Sequence, residues 1–148
     1  MAADQRRRCA HVLDARTVVL VIDRDGEVDY YATAAEAARD MEAIDVRGEE
    51  YLGVYGLDGE VYSVGLTGER HHEVPVLTAT GQRDLVRLRE LLQAAHARSP
   101  SRVTTADPAS FVNARAMWEW DRRRLRWPRW LDRRLHGTAP ALLPTQQR

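Results

Sequence analysis

Four places in the chain hold residues whose types and spacing could do chemistry. An apolar run, Val19-Leu20-Val21-Ile22, ends in Asp23-Arg24-Asp25-Gly26, so two carboxylates close a strand-forming segment. His71-His72-Glu73 sets two imidazoles beside a carboxylate, types that ligate metals and carry protons. Cys9 is the only cysteine. Between Met117 and Leu131 lie all four tryptophans, with arginines interleaved.

Spacing narrows these options. Neighbouring residues on a strand point to opposite faces, so His71, His72 and Glu73 do not converge on one ion there. They follow Gly68-Glu69-Arg70, where a solvated loop is expected, and no metal is assigned to them. One cysteine near the N-terminus makes no disulfide framework and no multi-cysteine zinc site. All 22 basic residues are arginine, which removes lysine Schiff-base chemistry and the lysine of a phosphate loop. No glycine-rich phosphate loop or nucleophile elbow occurs.

The run VLVIDRDGEV, residues 19–28, resembles the first motif of the haloacid-dehalogenase-like phosphatases, an apolar strand ending in D-x-D-G. That resemblance implies a Rossmann-type fold, Asp23 as nucleophile, Asp25 handling the leaving-group proton, and Mg²⁺ between the carboxylates and phosphate. Glu27 stands where that family has threonine, there is no lysine, and no paired-acid motif follows downstream. Asp-Gly is also what a hairpin turn uses. On that reading the chain is not an enzyme: no catalytic residue, no metal and no cofactor are assigned.

The elements around these residues read as α+β. Thr17 to Asp23 and Val28 to Ala32 form a hairpin about Asp25-Gly26; a two-residue type I′ loop pairs Val21 with Tyr30 and Val19 with Ala32. Thr33 and Glu36 make a T-x-x-E capping box for a helix whose apolar side is Ala34, Ala37, Ala38, Met41 and Ile44, broken at Arg47-Gly48. A second hairpin from Glu50 to Leu66 turns at Asp58-Gly59 and stacks Tyr55 on Tyr62. Val74 to Thr78 suits an edge strand because it carries Pro75. The next helix runs from about Gln82 to Ala97, capped by Thr80, with Leu85, Leu88, Leu92 and Ala95 inward. Asp25-Gly26-Glu27-Val28 recurs as Asp58-Gly59-Glu60-Val61, and shared turn chemistry accounts for this without a duplication.

Asp107-Pro108 caps a third helix that should reach about Arg126 before Pro128, which starts a short helix ending near Gly137. The expected fold is an antiparallel sheet of four to five strands, two Asp-Gly hairpins each followed by a helix, with the helices on one face. A basic, Trp-rich helical extension completes it at the C-terminus. The organisation is a flexible segment 1–16, a ββα-ββα core 17–97, a linker 98–106, an extension 107–137 and a disordered tail 138–148.

A net charge of zero conceals a split. Residues 9–97 carry 8 Arg against 17 Asp and Glu, while residues 98–148 carry 11 Arg against 4 acids. Such asymmetry raises the question of partners. In size and ββα organisation, residues 17–97 look like small bacterial toxin-immunity proteins. That resemblance implies a module whose acidic surface covers a basic protein in the cytoplasm; the exposed acids around the second hairpin, Glu49, Glu50, Asp58 and Glu60, are the expected contact residues. The alternative uses Trp118, Arg122, Arg123, Arg124, Arg126, Trp127, Arg129 and Trp130 to contact nucleic acid or an anionic membrane. The competing structural reading docks Phe111, Ala114, Trp118 and Leu125 on the chain's own domain. No apolar run approaches the ~18 residues that cross a bilayer, and no signal-type segment opens the chain.

Overall fold

The computed structural model describes residues 12–96, 105–123 and 128–144. Strands β1 (Val19–Asp23), β2 (Val28–Tyr31), β3 (Tyr51–Gly56), β4 (Glu60–Thr67) and β5 (Val74–Arg83) form one sheet of order β2-β1-β3-β4-β5. Every neighbouring pair is antiparallel. Five helices accompany the sheet among the described residues: α1 (Ala34–Asp40), α2 (Ala43–Arg47), α3 (Leu85–His96), α4 (Pro108–Arg122) and α5 (Arg129–His136). The fold is α+β, as the alternating patterns predict. No helix among the described residues is long and apolar enough to cross a membrane.

Both hairpins turn by one residue more than the sequence suggests. Val28 pairs with Ile22 and Glu27 with Asp23, leaving Arg24, Asp25 and Gly26 as the loop. Val61 pairs with Tyr55, leaving Leu57, Asp58 and Gly59. In each loop the glycine alone is left-handed, at φ 80 and φ 84, and the aspartate is not. A type I′ turn needs both central residues left-handed, so the structure takes the three-residue loop ending in a glycine bulge. A shift of one residue exchanges faces. Tyr55 therefore sits with Val61, and Tyr62 with Val54.

The sheet is covered on both faces, not one. Leu20, Ile22, Val28, Tyr30 and Tyr55 pack against Leu88, Leu91, Leu92 and Ala95 of α3 and Phe111, Val112 and Ala116 of α4. The alternate residues Val19, Val21, Tyr31 and Val54 pack against Ala37 of α1 and Met41 just beyond it. Helix α1 is capped by Thr33, whose Oγ accepts from Glu36 N–H, and it stops at Met41 in extended backbone. The predicted apolar stripe is thereby cut. Ile44 lands on α2 and is exposed. Helix α3 begins one turn of chain later than expected, with Asp84 rather than Thr80 as its cap: Asp84 Oδ1 accepts from Arg87 N–H. Thr80 instead lies in β5 and donates to the Val61 carbonyl.

The C-terminal helices follow as expected, and the first of them packs on the domain. Asp107 caps α4 by accepting from Ser110 N–H, with Pro108 next in line. Phe111 and Val112 are buried at 1% and 0% exposure. Burying two such side chains contributes about 3–6 kcal/mol, a large share of the roughly 5–15 kcal/mol by which domains are stable. Helix α4 thus belongs to the core, which sustains the docking reading for Phe111 and Ala114; Leu125 lies outside the described residues. Two further boundaries change. Leu13 and Leu143, assigned to a flexible segment and a disordered tail, are both buried in the same core.

Candidate functional site: an acidic end of the sheet

The four acids predicted to meet a partner do not form one patch. Glu49 and Glu50 precede β3, while Asp58 and Glu60 follow it. The six residues of β3, at about 3.3 Å each, hold the two pairs roughly 20 Å apart. Asp58 is also committed: Arg83 stands 3.0 Å from its Oδ2, and its Oδ1 accepts from Glu60 N–H. Glu60 is half-buried beside Tyr62.

Glu49 and Glu50 meet the loop of the first hairpin instead. Arg24 N–H donates to the Glu50 carbonyl at 2.8 Å, and the Arg24 guanidinium lies 3.9 Å from Glu49. Asp25 of that loop and Glu27 just beyond it are exposed, and so are Glu49 and Glu50. One end of the sheet therefore presents exposed carboxylates on either side of β1, Glu49 and Glu50 ahead of β3 and Asp25 and Glu27 at the hairpin, with the Arg24 guanidinium beside Glu49. Beneath it, the Tyr51 phenol is pushed above its usual range by burial first, and then by the charges of Asp45, Glu42 and Asp40. The sequence missed this grouping because it depends on β1 and β3 being neighbours across a helical crossover.

Glu49 is unusual in backbone as well. It is the one non-glycine residue with positive φ among the described residues, at 54°. Helix α2 ends at Gly48, which takes right-handed dihedrals and leaves the left-handed position to the next residue. Glycine normally fills that position, because a Cβ there costs about 1–2 kcal/mol. Its side chain is 85% exposed and its ion pair with Arg24 is long.

The D-x-D-G aspartates serve the turn. Asp23 Oδ1 accepts the Glu27 N–H at 2.8 Å, and the strand it ends is antiparallel to both neighbours, unlike the parallel sheet of a Rossmann-type phosphatase. His71 and His72 lie exposed in a loop, while Glu73 turns away to an ion pair with Arg47 of α2. Among the described residues no group of three or more His, Cys, Asp or Glu is spaced to hold a metal. Cys9 lies outside the described residues.

The Arg/Trp surface divides. The guanidinium groups of Arg115 and Arg122 lie over Trp118, at 5.1 and 4.8 Å from its ring centre. Arg123 covers the Trp120 ring and reaches Asp132 at 3.4 Å. The Arg123–Asp132 ion pair ties the end of α4 to α5, whereas the Trp118 contacts stay within α4. Arg124, Arg126 and Trp127 lie outside the described residues. Arg129 and Trp130 remain outward, and with Arg133 and Arg134 they cover one arc of α5. Set against known proteins, the chain matches no family model, no curated protein and no solved structure.

Proposed function

We propose that the chain is a non-catalytic protein-binding module of the immunity type, acting in the cytoplasm, which covers a basic partner with the acidic end of its sheet. The observation that carries this is Glu49: an exposed acid kept in a left-handed position where glycine costs less. Strain held at a surface residue with no packing role points to what that residue contacts. Glu50 follows it in the chain and Glu27 lies across β1 at the same end of the sheet, and the negative field they share would speed encounter with a cationic protein. Contact residues are accordingly Glu27, Glu49 and Glu50; Asp58 and Glu60 belong to the far end.

The test pairs the chain with the products of its neighbouring reading frames. A toxic neighbour should be neutralised by the wild-type chain, and not by a Glu27/Glu49/Glu50→Gln triple variant of unchanged melting temperature. Neutralisation by the triple variant would overturn the surface, and failure to neutralise any neighbour would overturn the reading.

One observation favours a second reading, a nucleic-acid or anionic-membrane contact through α5. Trp130 is 67% exposed among Arg129, Arg133 and Arg134. Single-stranded nucleic acid suits that arc better than lipid, since stacking needs one aromatic face while insertion needs an apolar one. Retention on immobilised oligonucleotide that falls with salt, and is lost on Trp130→Ala with Arg133→Gln, is the expected result. Deleting residues 107–148 is no test, because it removes Phe111 and Val112 from the core.

A further inference from the structure

A pocket of about 550 Å³ opens between α4 and the face of the sheet that carries Tyr30. Its volume falls in the range of small-molecule sites, roughly 300–1,000 Å³. Leu13, Tyr30, Ala32, Ala116, Trp118 and Ala141 give it an apolar wall drawn from the N-terminal segment, β2, α4 and the C-terminal segment. None of this belongs to the acidic end of the sheet.

The charges on its lining are unequally satisfied. Glu119 is paired with Arg115 at 2.9 Å and Asp14 with Arg16 at 3.4 Å. Glu36 is exposed in the first turn of α1, where a helix N-terminus favours an acid. Arg122 is exposed, with its guanidinium carbon 4.8 Å from the Trp118 ring centre, and its fork of N–H donors matches a carboxylate. Arg123 also lines the pocket; its Nη2 lies 3.4 Å from Asp132, and its Nη1 is a buried polar atom with no hydrogen-bond partner among the described residues. A buried donor without an acceptor calls for one. Two guanidinium groups beside an apolar, tryptophan-lined cavity define complementary chemistry.

We propose that this pocket binds a small amphipathic anion, an apolar body carrying one carboxylate, with the carboxylate at Arg122 and Arg123 and the body against Trp118 and Tyr30. The site is independent of the partner surface and stands or falls separately.

Decanoate and 1-decanol, below their aggregation limits and at fixed ionic strength, separate the two halves of the claim. Trp118 and Trp120 line the pocket, so tryptophan fluorescence of the full chain reports occupancy. Decanoate should give a saturable change and raise the melting temperature, with decanol binding at least roughly tenfold more weakly, the scale of one charge-assisted hydrogen bond. Arg122→Gln should weaken decanoate about as much and leave decanol unaffected. Ala32→Phe, which fills the cavity, should abolish both while the variant still melts cooperatively. Equal binding of decanoate and decanol overturns the anionic subsite; so does an unchanged affinity in Arg122→Gln. Absence of any saturable response, or full binding by Ala32→Phe, overturns the pocket.

Discussion

Asn113 holds Leu143 by both of its backbone groups: Oδ1 accepts the Leu143 N–H at 2.7 Å, and Nδ2 donates to the Leu143 carbonyl at 3.3 Å. Thirty residues of chain separate them. The clasp turns an irregular C-terminal stretch into part of the core, because it satisfies the polar groups that burying Leu143 would otherwise strand. Asn113→Ala should lower stability by about 1–3 kcal/mol. Hydrogen exchange should show the Leu143 amide losing protection well before the strands do.

The two glycines of β-turn or bulge type at positions 59 and 81 should respond differently to alanine. Both are left-handed, at φ 84 and φ 76. A Cβ on Gly59 would approach Leu85 N to 2.6 Å, whereas one on Gly81 meets nothing within 4 Å. Gly81→Ala should cost only the dihedral penalty of about 1–2 kcal/mol. Gly59→Ala adds an overpacking cost of about 1–3 kcal/mol and displaces α3, whose first turn Gly59 touches through its carbonyl on Asp84 N–H. Urea midpoints of the two variants decide this.

These positions also show what could be read from residues alone. Asp-Gly announced both turns, Thr33 and Asp107 announced their caps, and the apolar periods placed β1, α3 and α4, since each is a local signal. Loop length was misjudged because one dipeptide serves two turn types that differ only in the aspartate's φ. The acidic end escaped notice because Glu49 and Glu27 are far apart in sequence and come to the same end of the sheet only through the pairing of β1 with both β2 and β3. The burial of Leu143 was equally invisible, since it rests on a side chain thirty residues earlier.

Alkaline pH should loosen the fold through its tyrosines. Burial is the first cause raising the phenols of Tyr51, Tyr55 and Tyr62; at Tyr55, Arg87 pulls downward and Asp84 upward. A folded-state pKa above the unfolded value means that the native chain keeps protons the unfolded chain releases. Stability is therefore intact below pH ~10, the ordinary phenol value, and is lost as pH rises through the higher folded values. Tyr55→Phe should flatten part of that decline, and tyrosinate absorbance should develop in step with unfolding.

Arg123 and Asp132 should behave as a coupled pair. Asp132 is 4% exposed, and Arg123 is the cation beside it. Arg123→Met leaves a buried carboxylate without its counter-charge and should cost about 3 kcal/mol, while Asp132→Leu in the same chain should recover most of it. A double-mutant cycle on melting measures the coupling; additive losses would mean that Arg123 acts through Trp120 alone.

Glu49→Gly separates strain from recognition. Glycine takes the left-handed position without a Cβ, so the variant should gain about 1 kcal/mol in chemical unfolding, even though the long ion pair with Arg24 is lost. A surface ion pair of that kind contributes little, about 0–1 kcal/mol. If Glu49 is kept for contact, the same variant should associate more slowly with a cationic partner, with the difference shrinking as salt screens the field. A chain that becomes more stable and a complex that forms more slowly have opposite signs, and no purely structural role for Glu49 produces both. A stabilised variant with undiminished association would place the strain outside recognition and remove the support that Glu49 lends to the acidic end as a binding surface.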